Sequence, residues 1–288
     1  MTELVAQIVV SGIFIGLIFS LVSVGLNIIF GVMNIVNFAH GEFMMLAMYA
    51  AYWIFQFTNL SPLLSLPICT LAIFILGVLC YVCLISRIMS APMLIQIFAT
   101  FGLMLFLQNI AFFLWSSDYH ILRDPFIGGK RIMLMDGVYL GLPQLIAGIG
   151  ASLITAFLFW LINKTELGRA LRATAENKDA ASLMGINTER MFALAWGIGG
   201  ACAAAAGALI ATFYPIFPQV GTVFCQTAFV VVVLGGFGSI TGAFIAGIII
   251  GIVQVVGGFT FEPAYKHIFV FALFLLIMFI RPKGLLGR

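Results

Sequence analysis

Residues 269–280 read FVFALFLLIMFI. Every position is apolar, so the run has no polar side in any regular conformation. A strand of a membrane barrel alternates apolar and polar residues over about ten positions, and this run excludes one. It reads as a helix in lipid. Working outward, comparable runs recur at about 4–30, 38–57, 63–85, 93–115, 143–162, 191–213, 222–235, 239–258 and 265–280. A helical crossing of a bilayer needs roughly 20 apolar residues. The chain is therefore read as an all-α polytopic membrane protein, one transmembrane domain over 1–288. About 8–9 transmembrane segments are expected, including broken or re-entrant helices.

Composition agrees. Hydrophobic residues make up 63% of the chain and charged residues 8%, against about 25% charged in soluble domains. So few charges cannot cover a water-facing surface. The net charge of +3 gives no reason to expect a nucleic-acid partner. The run at 4–30 is too long for a signal-peptide core and is expected to stay as the first helix. Cysteines 69, 80, 83, 202 and 225 lie in or beside apolar runs. Cys80 and Cys83 form a C-x-x-C without a second metal-ligand pair, and all five read as inert thiols.

Lys and Arg collect on the cytoplasmic side of membrane proteins. The stretch 163–190 carries Lys164, Arg169, Arg172, Lys178 and Arg190, and the C-terminal RPKGLLGR carries Arg281, Lys283 and Arg288. Both read as cytoplasmic. The loop 116–141 balances Arg123, Lys130 and Arg131 against Asp118, Asp124 and Asp136, and reads as external. Three long spans follow residue 190, so the short segment 222–235 must also cross. That brings GGFGSITG (235–242) to the cytoplasmic side. The side of the N-terminus stays open, because no Lys or Arg precedes Arg87. Gly12/Gly16, Gly247/Gly251 and GIGGACAAAAGAL (197–209) are small-residue seams for close helix packing.

Catalytic signatures are missing from the sequence. It contains no G-x-x-x-x-G-K-[ST] phosphate loop and no HExxH. His120 and His267 read as ordinary surface residues. The densest polar cluster is NIVNFAHGEF (34–43), with Asn34, Asn37, His40 and Glu42 inside an otherwise apolar region. Ionisable groups within a bilayer are costly and mark function by default, yet no partner acid or base is present for a proton relay. His40 and Glu42 are two apart, so they meet only if the chain bends at Gly41. Two roles stay open: polar caps on a helix break, or contact with a passing substrate. Gly235, Gly236, Gly238 and Ser239 in LGGFGSITG read as a second break, and the two breaks hint at an internal repeat.

RALRATAENKDAASLMGI (169–186) has helix-forming composition. Its alanines, Leu171, Leu183 and Met184 give a partly apolar face, and Gly185 is placed to end the helix. Such a helix docks into a groove on a partner or lies on the membrane surface.

Five stretches together resemble the bacterial branched-chain amino acid ABC-transporter permeases, H-type subunit. They are GLIFSLVSVGLNIIFGVMNIVNFAHGEFMMLAMYAAY (16–52), ELGRALRATAENKDAASLMGI (166–186), AGALIATFYPIFPQVG (206–221), VVVVLGGFGSITGAFIAG (230–247) and RPKGLLG (281–287). The resemblance implies a multi-pass subunit of the bacterial inner membrane that is not itself an enzyme. Its implied partners are a second homologous permease, two cytoplasmic ATP-binding subunits, a periplasmic substrate-binding protein and membrane lipid. ATP and Mg would be used by the ATPases, with no cofactor bound by this chain. It further implies that Glu166, Gly168, Ala173, Glu176, Asn177, Ala180, Ala181 and Gly185 contact the ATPase. Urea and short-amide importers use similar subunits, so the substrate is less specific; an ion-gradient carrier is a more remote reading.

Overall fold

A computed structural model describes residues 2–122, 128–135, 137–261 and 265–287. Eleven helices follow one another among them: α1 (Thr2–Met33), α2 (His40–Thr58), α3 (Pro62–Cys83), α4 (Met93–Trp115), α5 (Leu142–Lys164), α6 (Glu166–Glu176), α7 (Lys178–Leu183), α8 (Thr188–Ile210), α9 (Val220–Gly235), α10 (Ile240–Thr260) and α11 (Lys266–Ile280). Six of them, α1, α3, α4, α5, α8 and α10, are long and apolar enough to cross a membrane, while α9 and α11 are shorter apolar helices. The protein is a polytopic all-α membrane protein. The spans follow the nine apolar runs closely.

The apolar α1 forms the axis of the bundle. Its 32 residues extend roughly 48 Å at 1.5 Å per residue, longer than the ~30 Å hydrocarbon core. From Ile18 to Ile29 it is buried, packed by α8, α9 and α10. Lipid supplies no hydrophobic drive between helices, so contact depends on backbones coming close. The expected glycine seams supply that contact. A Cβ on Gly12 would stand 2.7 Å from the Ile252 Cα, and one on Gly16 2.7 Å from the Ile248 Cα. One turn further along, the Ser20 hydroxyl donates to the Phe244 carbonyl at 2.7 Å. The small residues of α8 do the same for α3: a Cβ on Gly77 would sit 2.7 Å from the Trp196 carbonyl oxygen.

Two features depart from the sequence reading. The stretch 163–190 holds two short helices rather than one. Asn177 leaves helical geometry at φ −157° and ψ 105°, and its side chain accepts from the Asp179 and Ala180 amides to start α7. The loop 116–141 contains a hairpin, β1 (Arg131–Met135) with β2 (Val138–Gly141), paired antiparallel with a bulge near Met135. Gly137 makes its turn at φ +79°. Gln7 near the start of α1 bonds both backbone groups of Tyr139, at 2.6 and 2.7 Å. The N-terminus and the hairpin therefore share one end of the bundle. Arg123, Asp124, Asp136 and Arg288, used to orient the chain, lie outside the described residues.

Gly251→Leu would drive a side chain into the Gly12–Gly16 backbone, an overpacking cost on the order of 3 kcal/mol. Gly102→Leu is the control, since a Cβ there meets nothing within 4 Å. Thermal unfolding in detergent should show a lowered midpoint for the first and an unchanged one for the second.

Candidate functional site

The polar cluster of residues 34–43 lies where the chain leaves α1 and re-enters the bundle as α2. Asn34 turns the chain with φ +56°, a left-handed conformation that asparagine tolerates better than most residues. It is exposed, whereas Asn37, His40 and Glu42 are fully buried. The Asn37 side chain accepts from the Ala39 amide at 3.0 Å, within the turn that leads into α2. His40 reaches back along α1, with Nε2 2.9 Å from the Val22 carbonyl oxygen. A carbonyl only accepts, so this nitrogen carries the hydrogen.

Glu42 does not pair with His40. Its Oε1 accepts from the Thr222 hydroxyl at 3.2 Å, and Gln108 on α4 approaches that hydroxyl at 3.5 Å. The reason is a crossing of two helix starts. Gly41 is the second residue of α2 and Gly221 the second of α9. A Cβ on Gly221 would be 2.6 Å from the Gly41 carbonyl oxygen, and one on Gly41 would fall on the Gly221 carbonyl. Two helix N-termini thus abut inside the bundle. Each brings the partial positive charge of a helix start, with the amides of His40, Glu42, Phe43 and Val220 turned back onto the Asn37, Ala39 and Phe217 carbonyls, and the Glu42 carboxyl group sits at the junction. Its Oε2 and the His40 Nδ1 are buried without a partner.

The stretch facing the first break is therefore the start of α9, not LGGFGSITG. The latter is a tight turn between α9 and α10. Gly236 and Gly238 take φ +101° and +78°, conformations that need glycine. The Gly242 amide donates to the Ser239 side chain at 3.1 Å, capping α10. The C-terminal tail folds back onto this turn: Leu285 and Leu286 amides donate to the Leu234 and Gly235 carbonyls at 2.8 and 3.1 Å. Residue Asn27 completes it and escaped the sequence reading. Its Oδ1 accepts from the Gly238 amide at 2.7 Å, and its Nδ2 donates to the Ser239 carbonyl at 2.8 Å. The available signal was an amide alone within the apolar stretch GLNIIFGV, the kind of residue that must find partners when buried.

The same end of the bundle carries 163–190. A cavity of about 430 Å³ is bordered by Asn163, Arg172, Glu176, Gly238, Ser239 and Leu286. The charged stretch, the glycine turn and the tail thus share one face, as the count of crossings required. Thr165 caps α6 by accepting from the Gly168 amide at 3.1 Å. Gly168, Leu171, Thr174 and Ala181 turn inward, while Glu166, Ala173, Glu176, Asn177, Ala180 and Gly185 are exposed. Leu183 and Met184 are 89% and 83% exposed. The break at Asn177 separates them from Leu171, so the apolar face expected on one helix is divided.

At the opposite end, backbone bonds of 2.9 and 2.8 Å join His120 to Ile216, bringing the loops 116–141 and 214–221 together. His120, expected at the surface, is half-buried between Tyr49, Tyr52 and Trp53. His267 is also half-buried. The five cysteines are free, and no cluster of three metal-ligating side chains occurs among the described residues.

A family model described as branched-chain amino acid transport system / permease component matches residues 8–278. The chain is 32% identical to the high-affinity branched-chain amino acid transport system permease protein BraD of Pseudomonas aeruginosa, covering 98% of this chain and 95% of that protein. It is 32% identical to the corresponding LivH of Escherichia coli K12, covering 96% and 94%. A probable LivH of Methanocaldococcus jannaschii is 28% identical over 93% and 88%. No solved structure matches the chain.

Asn27→Leu keeps the size but removes the bonds that tie α1 to the glycine turn, leaving buried backbone groups unpaired at a cost of about 2 kcal/mol. Hydrogen exchange at residues 236–242 should accelerate in this variant. Unchanged exchange would show that the tail alone holds the turn.

Proposed function

From the premise that the chain belongs to the branched-chain amino acid transport system permease components, we propose that it carries branched-chain, hydrophobic amino acids across the bacterial inner membrane as one permease of a binding-protein-dependent ABC importer. The observation that carries this reading is the near full-length likeness to BraD and LivH, which share its length as well as its sequence.

The remaining parts follow from what the chain holds and lacks. We assign ATP and Mg to two cytoplasmic ATPase subunits and a non-catalytic transport role to this chain, a division of labour with which the lack of a G-x-x-x-x-G-K-[ST] motif in its sequence is consistent. A second, homologous permease completes the path. A periplasmic binding protein delivers substrate at the end formed by 116–141 and 214–221. The end carrying 163–190 and the C-terminus is cytoplasmic, consistent with its excess of Lys and Arg. Here α6 and α7 couple to the ATPases: Glu166, Ala173, Glu176, Asn177, Ala180 and Gly185 lie on the exposed side, and Leu183 and Met184 offer apolar anchors to a groove. Gly168 and Ala181 serve from beneath, by letting the short helices sit close to the bundle.

Transport is then alternating access, in which each state is favoured by whichever partner binds it better. ATPase closure moves the coupling face, and α1, α5 and α8, against which α6 and α7 pack, follow. At the junction, Glu42, Asn37 and His40 hold the two broken helices while the path opens on either side.

Replacing Glu176 or Gly185 by Trp should abolish uptake of radiolabelled leucine in proteoliposomes holding the full assembly, while the soluble binding protein retains its affinity. If such assemblies keep their ATPases and still couple hydrolysis to uptake at the native ratio, the coupling assignment is wrong. If the native assembly imports none of leucine, isoleucine and valine, the substrate assignment is wrong.

A further inference from the structure

A second cavity, of about 320 Å³, lies between α1, α9, α10 and the start of α11, away from the coupling face. Phe19 on α1 and Phe224 on α9, with ring centroids 6.0 Å apart, form part of its apolar wall. The polar groups are few and placed on other elements. Gln254 on α10 contributes a side-chain oxygen that is buried and has no hydrogen-bond partner. Lys266, the first residue of α11, contributes an ammonium. Gln254 lies six residues before the end of α10, roughly 9 Å along the helix, and Lys266 stands beyond that end. Of these two polar residues, Lys266 is therefore the nearer to the hairpin end.

A buried amide oxygen without a partner costs free energy unless something supplies a donor. A cation beside an apolar chamber is suited to an anionic group carried on an apolar body. The two together match a hydrophobic amino acid: a carboxylate for Lys266, an ammonium for Gln254 Oε1, and an aliphatic side chain against Phe19 and Phe224. The volume is at the lower end of the ~300–1,000 Å³ of small-molecule sites. That suits one small solute better than the acyl chains of a phospholipid.

We propose that this cavity is a transient holding site for the hydrophobic amino acid within the permease, resting on the transport reading above. The site makes one charge-assisted contact and one amide contact, with no enclosing ring of donors. It is built to hold briefly, as a path requires. It also abuts the first turns of α9, through Val223, Phe224 and Thr227. Displacement of α9 would change its shape.

The test uses the purified assembly of this chain with its partner subunits, without the binding protein, and saturation-transfer NMR, which detects weak ligands. Leucine should bind the native assembly at least about tenfold better than leucinol, which lacks the carboxylate, the factor expected for one charge-assisted hydrogen bond. Lys266→Gln should erase that preference and Lys266→Arg should keep it. Thr227→Trp, which fills the chamber, should abolish binding of both ligands. Retained leucine binding in Thr227→Trp, or a retained leucine preference in Lys266→Gln, overturns the proposal. So does co-purified lipid that occupies the native assembly, is lost in Thr227→Trp, and accompanies no leucine signal. Should Thr227→Trp fail to assemble, the Lys266 pair decides alone, since that half-buried side chain begins a helix at the bundle's edge. Leucine uptake by the native assembly with its binding protein, measured in parallel, separates the two readings: uptake without a binding signal removes the cavity proposal and leaves the transport function standing.

Discussion

The structure depends on how backbone groups freed by two helix breaks are satisfied inside an apolar bundle. A membrane interior offers no water to the unpaired N–H groups of a helix start. Here α2 and α9 both start within the bundle and against each other, Gly41 on Gly221. The concentrated partial positive charge favours a hydrogen-bond acceptor, and the Glu42 carboxyl group is that acceptor, held on its other side by Thr222. Any larger residue at either glycine would separate the helices and leave the carboxylate without its setting. The densest polar cluster of the chain is thus explained first by helix electrostatics.

A second consequence concerns α1. It carries the chain past the junction, receives His40 on its Val22 carbonyl, and reaches the glycine turn through Asn27. Ahead of these points, its Gly12, Gly16 and Ser20 let α10 lie against its backbone. The turn, the tail and α10 are therefore tied to α1 by hydrogen bonds at one end and close packing along the middle. Hydrogen bonds between helices in membranes are individually modest, of the order of 1 kcal/mol. A structure that uses few of them at defined places can shift between packings without losing its fold.

Most of the architecture was legible in the sequence, because apolar runs in lipid have essentially one solution. The spans, the small-residue seams, the break before His40 and the glycine terminus at 185 all follow from local chemistry. What was not legible depended on contacts far apart in the chain. The partner of Glu42 is 180 positions away, so the pairing of the first break with Val220, Gly221 and Thr222 could not be read from spacing. Asn27 drew no reading at all, because the Gly238 amide that gives it a role lies 211 positions on. The division of 169–186 into two helices turned on Asn177, whose capping preference competes with the helical composition on both sides. The hairpin rests on an edge contact with Gln7, again remote in sequence.

One element borders two of the places where function is argued and leads to the turn beside the third. Helix α9 begins at the Glu42 junction, borders the 320 Å³ cavity with its first two turns, and ends at the glycine turn onto which the tail folds; that turn shares the 430 Å³ cavity with Arg172 and Glu176. Its 16 residues extend roughly 24 Å, too short to cross the bilayer comfortably by itself. That shortness follows from where it starts: α9 begins inside the bundle at Val220 and runs only to the glycine turn at one end. Gly41 and Gly221 meet backbone to backbone, and the side chains beside them fasten the contact, Thr222 to Glu42 and Cys225 to the Phe38 carbonyl. Glu42 Oε2, buried there without a hydrogen-bond partner, is the acceptor that this close approach leaves unsatisfied, a cost the junction carries because the two backbones come this close with no other residue pair.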